Sequence, residues 1–154
     1  MNLIEALRLD YETTSDFIDK CDDHMFRVKN WALITASAVI AYSISTDVEN
    51  IVLANIILVL AFLYLELIYK SFQDTAIEHS TDISKRIDQA IRAPGVSTEL
   101  DNYEFGFGRK LLYPSLGQCW RILRNGNRRH IVNFYGLIAI FSIGAFLIGR
   151  YGFL

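Results

Sequence analysis

Three long stretches of the chain contain no Asp, Glu, Lys, Arg or His: residues 30–46, 50–65 and 131–149. They hold 17, 16 and 19 residues, close to the roughly 20 residues that an α-helix needs to cross about 30 Å of hydrocarbon. A soluble fold of 154 residues would have too little polar surface to cover three such helices. The pattern therefore predicts an all-α integral membrane protein with three transmembrane helices.

A helical period continues beyond the first two apolar stretches, where charged residues alternate with apolar ones. Apolar residues recur at steps of three and four positions from Leu7 to Val28, and again from Tyr69 to Ile91. We therefore expect amphipathic helices that lengthen both spans and pack on each other. Neither Gly nor Pro occurs before Pro94, so nothing in this part of the sequence interrupts a helix strongly.

Turn signals divide the chain further. Residues 46–49 have the spacing of a capping box, Thr with Glu three positions later, which would begin the second helix. Pro94 and Gly95 should end that helix, and turn-forming residues then recur up to Asn127, with a short helix expected around Ser115–Leu123. The predicted segments are a cytoplasmic amphipathic helix (1–30), a transmembrane hairpin (31–69), a cytoplasmic helix (70–93), a cytoplasmic linker or small subdomain (94–130) and a third transmembrane helix (131–150).

The Lys and Arg residues beside the spans predict the orientation. Residues 1–30 contain four of them and residues 66–130 contain ten, whereas the turn at 46–50 contains none. Basic residues are retained on the cytoplasmic side of a bacterial inner membrane. We therefore expect a multi-pass protein with its N-terminus in the cytoplasm and its C-terminus in the periplasm.

The first span is rich in small and hydroxyl residues. Such residues let helices approach closely in lipid and form hydrogen bonds between them. This face has two interpretations: packing against the second span within one subunit, or a seam between subunits that lines a wet pore. The residues of this predicted packing or pore face are Thr35, Ser37, Ala41, Tyr42, Ser45 and, in the second span, Asn55.

Two polar residues of the second span need explanation. A carboxamide in hydrocarbon requires a partner, and Asn55 would find one in Ser43 or Tyr42 of the first span, or in a ring of Asn55 side chains in an oligomer. Glu66 falls at the inner end of the same span, where we expect interfacial water to reach it.

A basic cluster precedes the third span. Arg121, Arg124, Arg128 and Arg129 would anchor the topology and contact anionic lipid headgroups. The alternative is a catalytic function. Arg124 and Asn125, followed after four further residues by His130, match the R-N-x4-H form of HEPN ribonucleases, in which Arg and His act on an RNA phosphate. Here the intervening Asn and Gly residues favour a turn where that family has a helix.

Other catalytic or ligand-binding patterns are missing from the sequence. It contains no Gly-rich phosphate loop, no Ser/His/Asp set and no cluster with metal-ligand spacing, and Cys21 and Cys119 do not form a CxxC pair. We therefore expect no enzyme activity, no cofactor, no metal and no direct binding of DNA.

Residues 1–92 combine an amphipathic stem, a membrane hairpin with a very short external turn and a charged helix. This arrangement resembles the SLATT-type two-transmembrane effectors of bacterial anti-phage systems. The resemblance implies an oligomer that stays inactive until infection and then opens a pore or damages the inner membrane in an abortive response. The third span departs from the two-span plan of that group.

The Arg124 and His130 pair adds a second resemblance, to a CRISPR-associated accessory protein that forms a membrane pore and has HEPN-like Arg and His residues. The partners implied are the lipid bilayer, further copies of the chain, and a soluble cytoplasmic sensor or nucleoprotein complex. The alternatives are a non-conducting anchor or assembly subunit of a larger complex, and a HEPN-like membrane ribonuclease.

Overall fold

The computed structural model describes residues 3–46, 50–92, 116–124 and 129–151, and all of them are helical. The helices are α1 (Leu3–Thr46), α2 (Asn50–Arg92), α3 (Leu116–Arg124) and α4 (Arg129–Tyr151). The predicted all-α fold is therefore confirmed for the described part of the chain.

The helices α1 and α2 each run without interruption through a predicted amphipathic segment and a predicted span. This continuity follows from the absence of Gly and Pro, whose backbone preferences would end or kink a helix. The short helix expected around residues 115–123 is present as α3. Residues 47–49 of the capping box, and residues 94–115 and 125–128 of the linker, lie outside the described residues.

The chain divides into two compact units. We call the first the stem unit; its described residues are 3–23 and 69–92. We call the second the span unit; its described residues are 24–46, 50–68, 116–124 and 129–151.

The stem unit is built on a narrow seam between the two helices. Leu7, Thr14 and Cys21, spaced seven residues apart on α1, are all buried, and so is Ile83 of α2. Seven-residue spacing is typical of a two-helix contact, which needs only a thin apolar stripe. This confirms that the two stems pack on each other. Tyr11, which the periodicity also assigned to the apolar face, is exposed because it falls outside that stripe.

The span unit has one main core and one smaller core. The main core joins α1, α2 and α4 through Ala32, Ala36, Val59, Ile131, Tyr135 and Ile138. The smaller core packs Cys119 and Ile122 of α3 against Leu67 of α2. The α3 helix is thus packed against the C-terminal end of the predicted hairpin.

Among the described residues, two helices are long and apolar enough to cross a membrane: α2 from Ala54 onward, and α4 over Arg129–Ile148. Only 28% of the apolar window of each helix is buried within the structure. The core helix of a soluble protein would be mostly buried, so this exposure favours lipid as the surrounding medium.

The first predicted span, in α1, is not confirmed as a candidate membrane helix. Its apolar stretch is short and carries several hydroxyl side chains, among them Thr35, Ser37, Ser43 and Ser45. These groups lower its mean hydropathy below that of the other two helices. The described residues therefore contain two candidate membrane-spanning helices, one fewer than the sequence pattern predicts.

Candidate functional site

The polar side chains inside the span unit form two buried contacts. The first joins α2 to α4, where the Asn55 side-chain amide Nδ2 donates a hydrogen bond to Ser142 Oγ at 2.9 Å. Ser142 in turn donates to the carbonyl of Ile138 at 2.9 Å. The partner of Asn55 is therefore in the third predicted span, and the expected bond to Ser43 or Tyr42 is wrong.

One acceptor at this contact is unused. Asn55 is 1% exposed, and its side-chain carbonyl oxygen has no hydrogen-bond partner among the described residues. A buried carbonyl without a donor is costly in an apolar environment. Within the subunit, the side-chain amide of Asn55 therefore donates a hydrogen bond, while its carbonyl oxygen accepts none.

The second buried contact joins α1 to α2. Lys29 Nζ lies 3.0 Å from Glu66 Oε1, and the Glu66 side chain is 0% exposed whereas that of Lys29 is 27% exposed. The expectation that interfacial water reaches Glu66 is therefore wrong. The carboxylate is enclosed by helices, and a cation from the neighbouring helix replaces water as its partner.

The α4 helix completes the surroundings of Glu66. The Tyr135 hydroxyl is close enough to interact electrostatically with the carboxylate, and it donates a long hydrogen bond of 3.4 Å to the carbonyl of Phe62. Neither Glu66 oxygen accepts a well-aligned hydrogen bond within the described ranges, so the contact with Lys29 is mainly ionic. Helices α1, α2 and α4 thus meet at one charged position.

The sequence analysis missed this ion pair, although a signal for it was present. Lys29 directly precedes the first apolar stretch and Glu66 directly follows the second. In a helical hairpin, these two positions lie at the same end of the spans. Opposite charges placed in this way are a natural pair.

The predicted small-residue face of α1 points away from the core. Ser37, Ala41 and Ser45 are all exposed, whereas Ala32 and Ala36 supply the packing surface within the subunit. We call the exposed set the α1 outer stripe. Of the two interpretations of this face, packing on the second span is therefore not what the structure shows.

Hydroxyl groups near the stripe are satisfied by their own helix. Thr35 donates to the Trp31 carbonyl at 2.6 Å, and Ser45 donates to the Tyr42 carbonyl at 2.8 Å. Such local bonds let a hydroxyl face an apolar surrounding at little cost. The outer stripe can thus face lipid in a single subunit, or pack against a helix of a second subunit in an oligomer.

An open apolar groove of about 720 Å³ lies between α1 and α4 beside the outer stripe. Ser37 and Ala41 line one side of it, and Gly144 and Ala145 line the other. A Cβ atom built on Gly144 would have no heavy atom within 4 Å. The small size of this residue is therefore not required by packing within the subunit.

The α3 helix has one buried and one exposed face. Cys119 and Ile122 are buried, whereas Trp120 is 68% exposed and Arg121 and Arg124 are also exposed. Trp beside basic residues is typical of the boundary between lipid and water. Arg129 is exposed at the start of α4, and Arg128 lies outside the described residues.

The HEPN-like pair is only partly described. Arg124 is the last residue of α3, His130 is the second residue of α4, and both are exposed. Residues 125–128, which connect them, lie outside the described residues. The catalytic interpretation of this pair stays a prediction.

The described ranges contain no group of three or more His, Cys, Asp or Glu side chains that could hold a metal ion. Cys21 and Cys119 are free and buried. Burial raises the pKa of the Cys21 thiol, and the neighbouring negative charge of Asp22 raises it further. A raised pKa keeps this thiol protonated and weakly nucleophilic at neutral pH.

Comparison of the chain with protein-family models, with curated proteins and with solved structures finds no significant match. Arguments about function therefore depend on the site itself.

Proposed function

We propose that the chain is a multi-pass protein of the bacterial inner membrane that self-associates and forms a pore or otherwise perturbs the bilayer. The observation that carries this proposal is the α1 outer stripe, Ser37, Ala41 and Ser45, which the subunit leaves exposed. Small and hydroxyl residues are the usual means by which helices associate in lipid.

In this proposal the apolar part of α1 is also a membrane span, in addition to the two candidate helices α2 and α4. Its Ala32 and Ala36 share a core with residues of α2 and α4, the two helices with sufficient length and hydropathy. Large apolar side chains of α1, including Trp31 and Ile34, are exposed on its other faces. The distribution of Lys and Arg supports a cytoplasmic N-terminus and a periplasmic C-terminus.

A conducting state in this scheme needs several copies. Three helices per subunit cannot surround a wide water path while keeping their backbone and polar groups satisfied against lipid, so subunits would gather around an axis. The hydroxyl groups of the outer stripe would then face the water. The exposed Arg121 and Arg124 of α3 would contact anionic headgroups, at about 1 kcal/mol per residue near the surface.

The biological setting proposed is anti-phage defence, in which the effector stops the growth of an infected cell. Support for this setting comes from the resemblance of residues 1–92 to SLATT-type effectors. The stem unit, with its exposed charged residues such as Asp82 and Lys85, would receive the signal from a soluble cytoplasmic sensor or nucleoprotein complex.

A second candidate function is a non-conducting anchor or assembly subunit. The observation that favours it is that two buried polar side chains of the span unit each make a contact within one subunit, Asn55 Nδ2 with Ser142 and Glu66 with Lys29. A bundle with internal partners does not need an oligomer to satisfy these groups. This candidate expects harmless overproduction and a protein without pore activity.

The outer stripe supplies the test. The double variant Ser37→Leu, Ala41→Leu adds bulk to the stripe, and the control Ala61→Leu adds one leucine at an exposed position of α2. We expect the stripe variant to lose growth arrest on induced expression and to run at lower mass in native detergent analysis, with Ala61→Leu behaving as the parent protein. If growth arrest and native mass are unchanged in the stripe variant, the outer stripe is needed neither for self-association nor for growth arrest.

A further inference from the structure

The charges of the chain are divided unevenly along its length. The whole chain contains 15 Lys or Arg and 17 Asp or Glu, whereas residues 105–154 contain seven Lys or Arg and no Asp or Glu. Six of these seven basic residues precede the apolar stretch at 131–149. Because no acidic side chain of the same segment can neutralise them, the segment that leads into the last span carries an excess of positive charge.

The described part of this segment presents its basic side chains on the surface. Arg121 and Arg124 are exposed on α3, and Arg129 and His130 are exposed in the first turn of α4, which α3 contacts. We call these four residues and the exposed Trp120 the basic rim. The three arginines form no ion pair with an acidic side chain of the described ranges. Their charge is therefore available to an anion outside the subunit.

The position of α4 places the basic rim at one end of a span. The helix qualifies as a candidate span from Arg129 onward, so Arg129 and His130 occupy the first turn of that span. Further along, large apolar side chains face outward, with Val132 45% exposed and Leu137 57% exposed. The first turn of a membrane span lies at the level of the lipid headgroups. The surroundings of this part of the rim are therefore phosphate groups and interfacial water.

The buried face of α3 holds the rest of the rim in place. Cys119 and Ile122 pack against Leu67 of α2, and Trp120 and the two arginines of α3 are exposed on its remaining surface. An indole ring favours the boundary between hydrocarbon and water, and a long Arg side chain can reach from that boundary to a phosphate. The rim thus combines an aromatic anchor with several cations.

Two partners that carry phosphate fit a surface of exposed arginines, anionic phospholipid and RNA. RNA is the partner that the R-N-x4-H pattern of Arg124 and His130 suggests. The position of the rim favours lipid, because headgroups adjoin the first turn of a span and the phosphates of an anionic bilayer repel those of RNA. The exposed Trp120 suits the lipid boundary as well.

We propose that the basic rim is a docking surface for anionic phospholipids and selects them over zwitterionic lipids as neighbours of the span unit. This inference rests on the membrane location in the proposed function and adds the class of lipid. A zwitterionic headgroup has its own cation beside the phosphate, whereas an anionic headgroup leaves the phosphate charge for the arginines. The partner is thus a phospholipid with a net negative headgroup, such as phosphatidylglycerol.

Fluorescence quenching of Trp120 measures which lipid lies against the rim. The chain has two tryptophans, so Trp31→Phe leaves Trp120 as the single reporter in the full chain. The protein is placed in liposomes of phosphatidylglycerol and phosphatidylcholine in equal amounts, with bromine on the acyl chains of one lipid or the other, because bromine quenches tryptophan only at contact. Phosphatidylglycerol should associate at least about fivefold more strongly, the factor that one basic residue near an anionic surface supplies. Equal quenching by both lipids, or quenching by neither, would overturn the proposal.

A double variant in the same reporter protein tests the arginines. Arg121→Gln, Arg124→Gln should make quenching by the two brominated lipids about equal. The matched control Arg8→Gln, Lys20→Gln removes the same number of charges from exposed positions of the stem unit and should keep the preference.

Salt tests the charge attraction without a charge variant. An increase from about 0.1 M to about 1 M shortens the Debye length from about 10 Å to about 3 Å, so the preference for phosphatidylglycerol should decrease. A preference that survives both high salt and the loss of the two arginines of α3 would contradict docking by charge.

A labelled single-stranded RNA tests the competing partner. The parent protein in nanodiscs of phosphatidylcholine alone presents the rim on an accessible face without anionic lipid. Absence of RNA binding there would support the lipid assignment. RNA binding that disappears in Arg121→Gln, Arg124→Gln would overturn it in favour of a nucleic-acid surface.

Dye leakage from the liposomes separates this proposal from the proposed function. Preference for phosphatidylglycerol together with leakage would support both. Preference without leakage would keep the lipid surface and contradict the pore. Leakage without preference would keep the pore and overturn the lipid surface.

Discussion

The stem unit and the span unit both contain parts of α1 and α2, but they differ in which kinds of side chain face outward. In the stem unit, the buried seam includes polar groups such as Asp10 and His79, 3.1 Å apart, while charged side chains cover the outside. In the span unit, the outside is apolar, with Ile57 70% exposed and Ile140 67% exposed, and the charged pair is inside.

This difference indicates a change of surroundings along each helix. A soluble helix pair keeps its charges outside and buries apolar side chains, and a lipid-facing bundle can expose apolar side chains freely. Neither α1 nor α2 is interrupted, so the helical backbone is the same in both units. The two units differ in which side chains are exposed.

The largest difference should come from the two lysine pairs. Lys29→Met leaves a buried carboxylate without its cation and should lower the free energy of unfolding by about 3 kcal/mol, the lower end of the range because Lys29 is partly exposed. Lys85→Met breaks an exposed pair and should cost less than about 1 kcal/mol. Unfolding by SDS in mixed micelles measures both, and equal losses would contradict a buried ion pair in the span unit.

A second comparison concerns apolar side chains. Leu7 is 1% exposed in the stem seam, so Leu7→Ala should cost about 2 kcal/mol or more, measured by the same titration. Leu60 is 57% exposed on α2 of the span unit. If lipid surrounds it, Leu60→Ala exchanges one apolar surface for another and should change the free energy of unfolding by less than about 0.5 kcal/mol. A large loss at Leu60 would indicate that it is packed against protein.

A smaller effect is expected at the hydrogen bond between α2 and α4. Asn55→Leu removes both the bond to Ser142 and the unpaired carbonyl oxygen, so the loss should be about 1 kcal/mol or less. Ser84→Ala in the stem unit is the control, because its hydroxyl bonds to the Ser80 carbonyl of the same helix at the surface. A loss of several kcal/mol in Asn55→Leu would mean that this amide has a further partner, such as a neighbouring subunit.

The smallest effect concerns thiol reactivity and leaves stability unchanged. Since burial raises the pKa of Cys21, the reactive thiolate is scarcer than in a free thiol at neutral pH and increases only as the pH rises through the raised pKa. Alkylation of Cys21 by iodoacetamide in the folded protein should therefore be slower than in the SDS-unfolded protein, with the difference shrinking at alkaline pH. Equal rates at neutral pH would show that the stem seam opens readily.

Features that depend on neighbouring residues in the chain were predictable. The uninterrupted helices follow from the missing Gly and Pro, and the stem seam follows from the period that places Leu7, Thr14 and Cys21 on one side. The α3 helix lies where a short helix was expected, between the turn signals that flank residues 115–123. Each of these is a local pattern with a single physical interpretation.

Features that depend on contacts between distant residues were not predictable in the same way. The partner of Asn55 lies 87 positions away, and Ser43, Tyr42 and Ser142 have equally suitable chemistry. Both sides of α1 carry small residues, so spacing did not show that Ala36 faces the core while Ala41 faces outward. The hydroxyl groups of the first span favour contacts between helices. The same groups lower the mean hydropathy of that span.

The central claim is that the span unit works as part of a membrane oligomer. The most direct test is the mass of the detergent-purified protein by native methods, coupled to dye leakage from liposomes that contain the same sample. We predict a discrete homo-oligomer that releases the dye. A tight monomer that does not release dye would contradict this claim and favour an anchoring subunit of a larger complex.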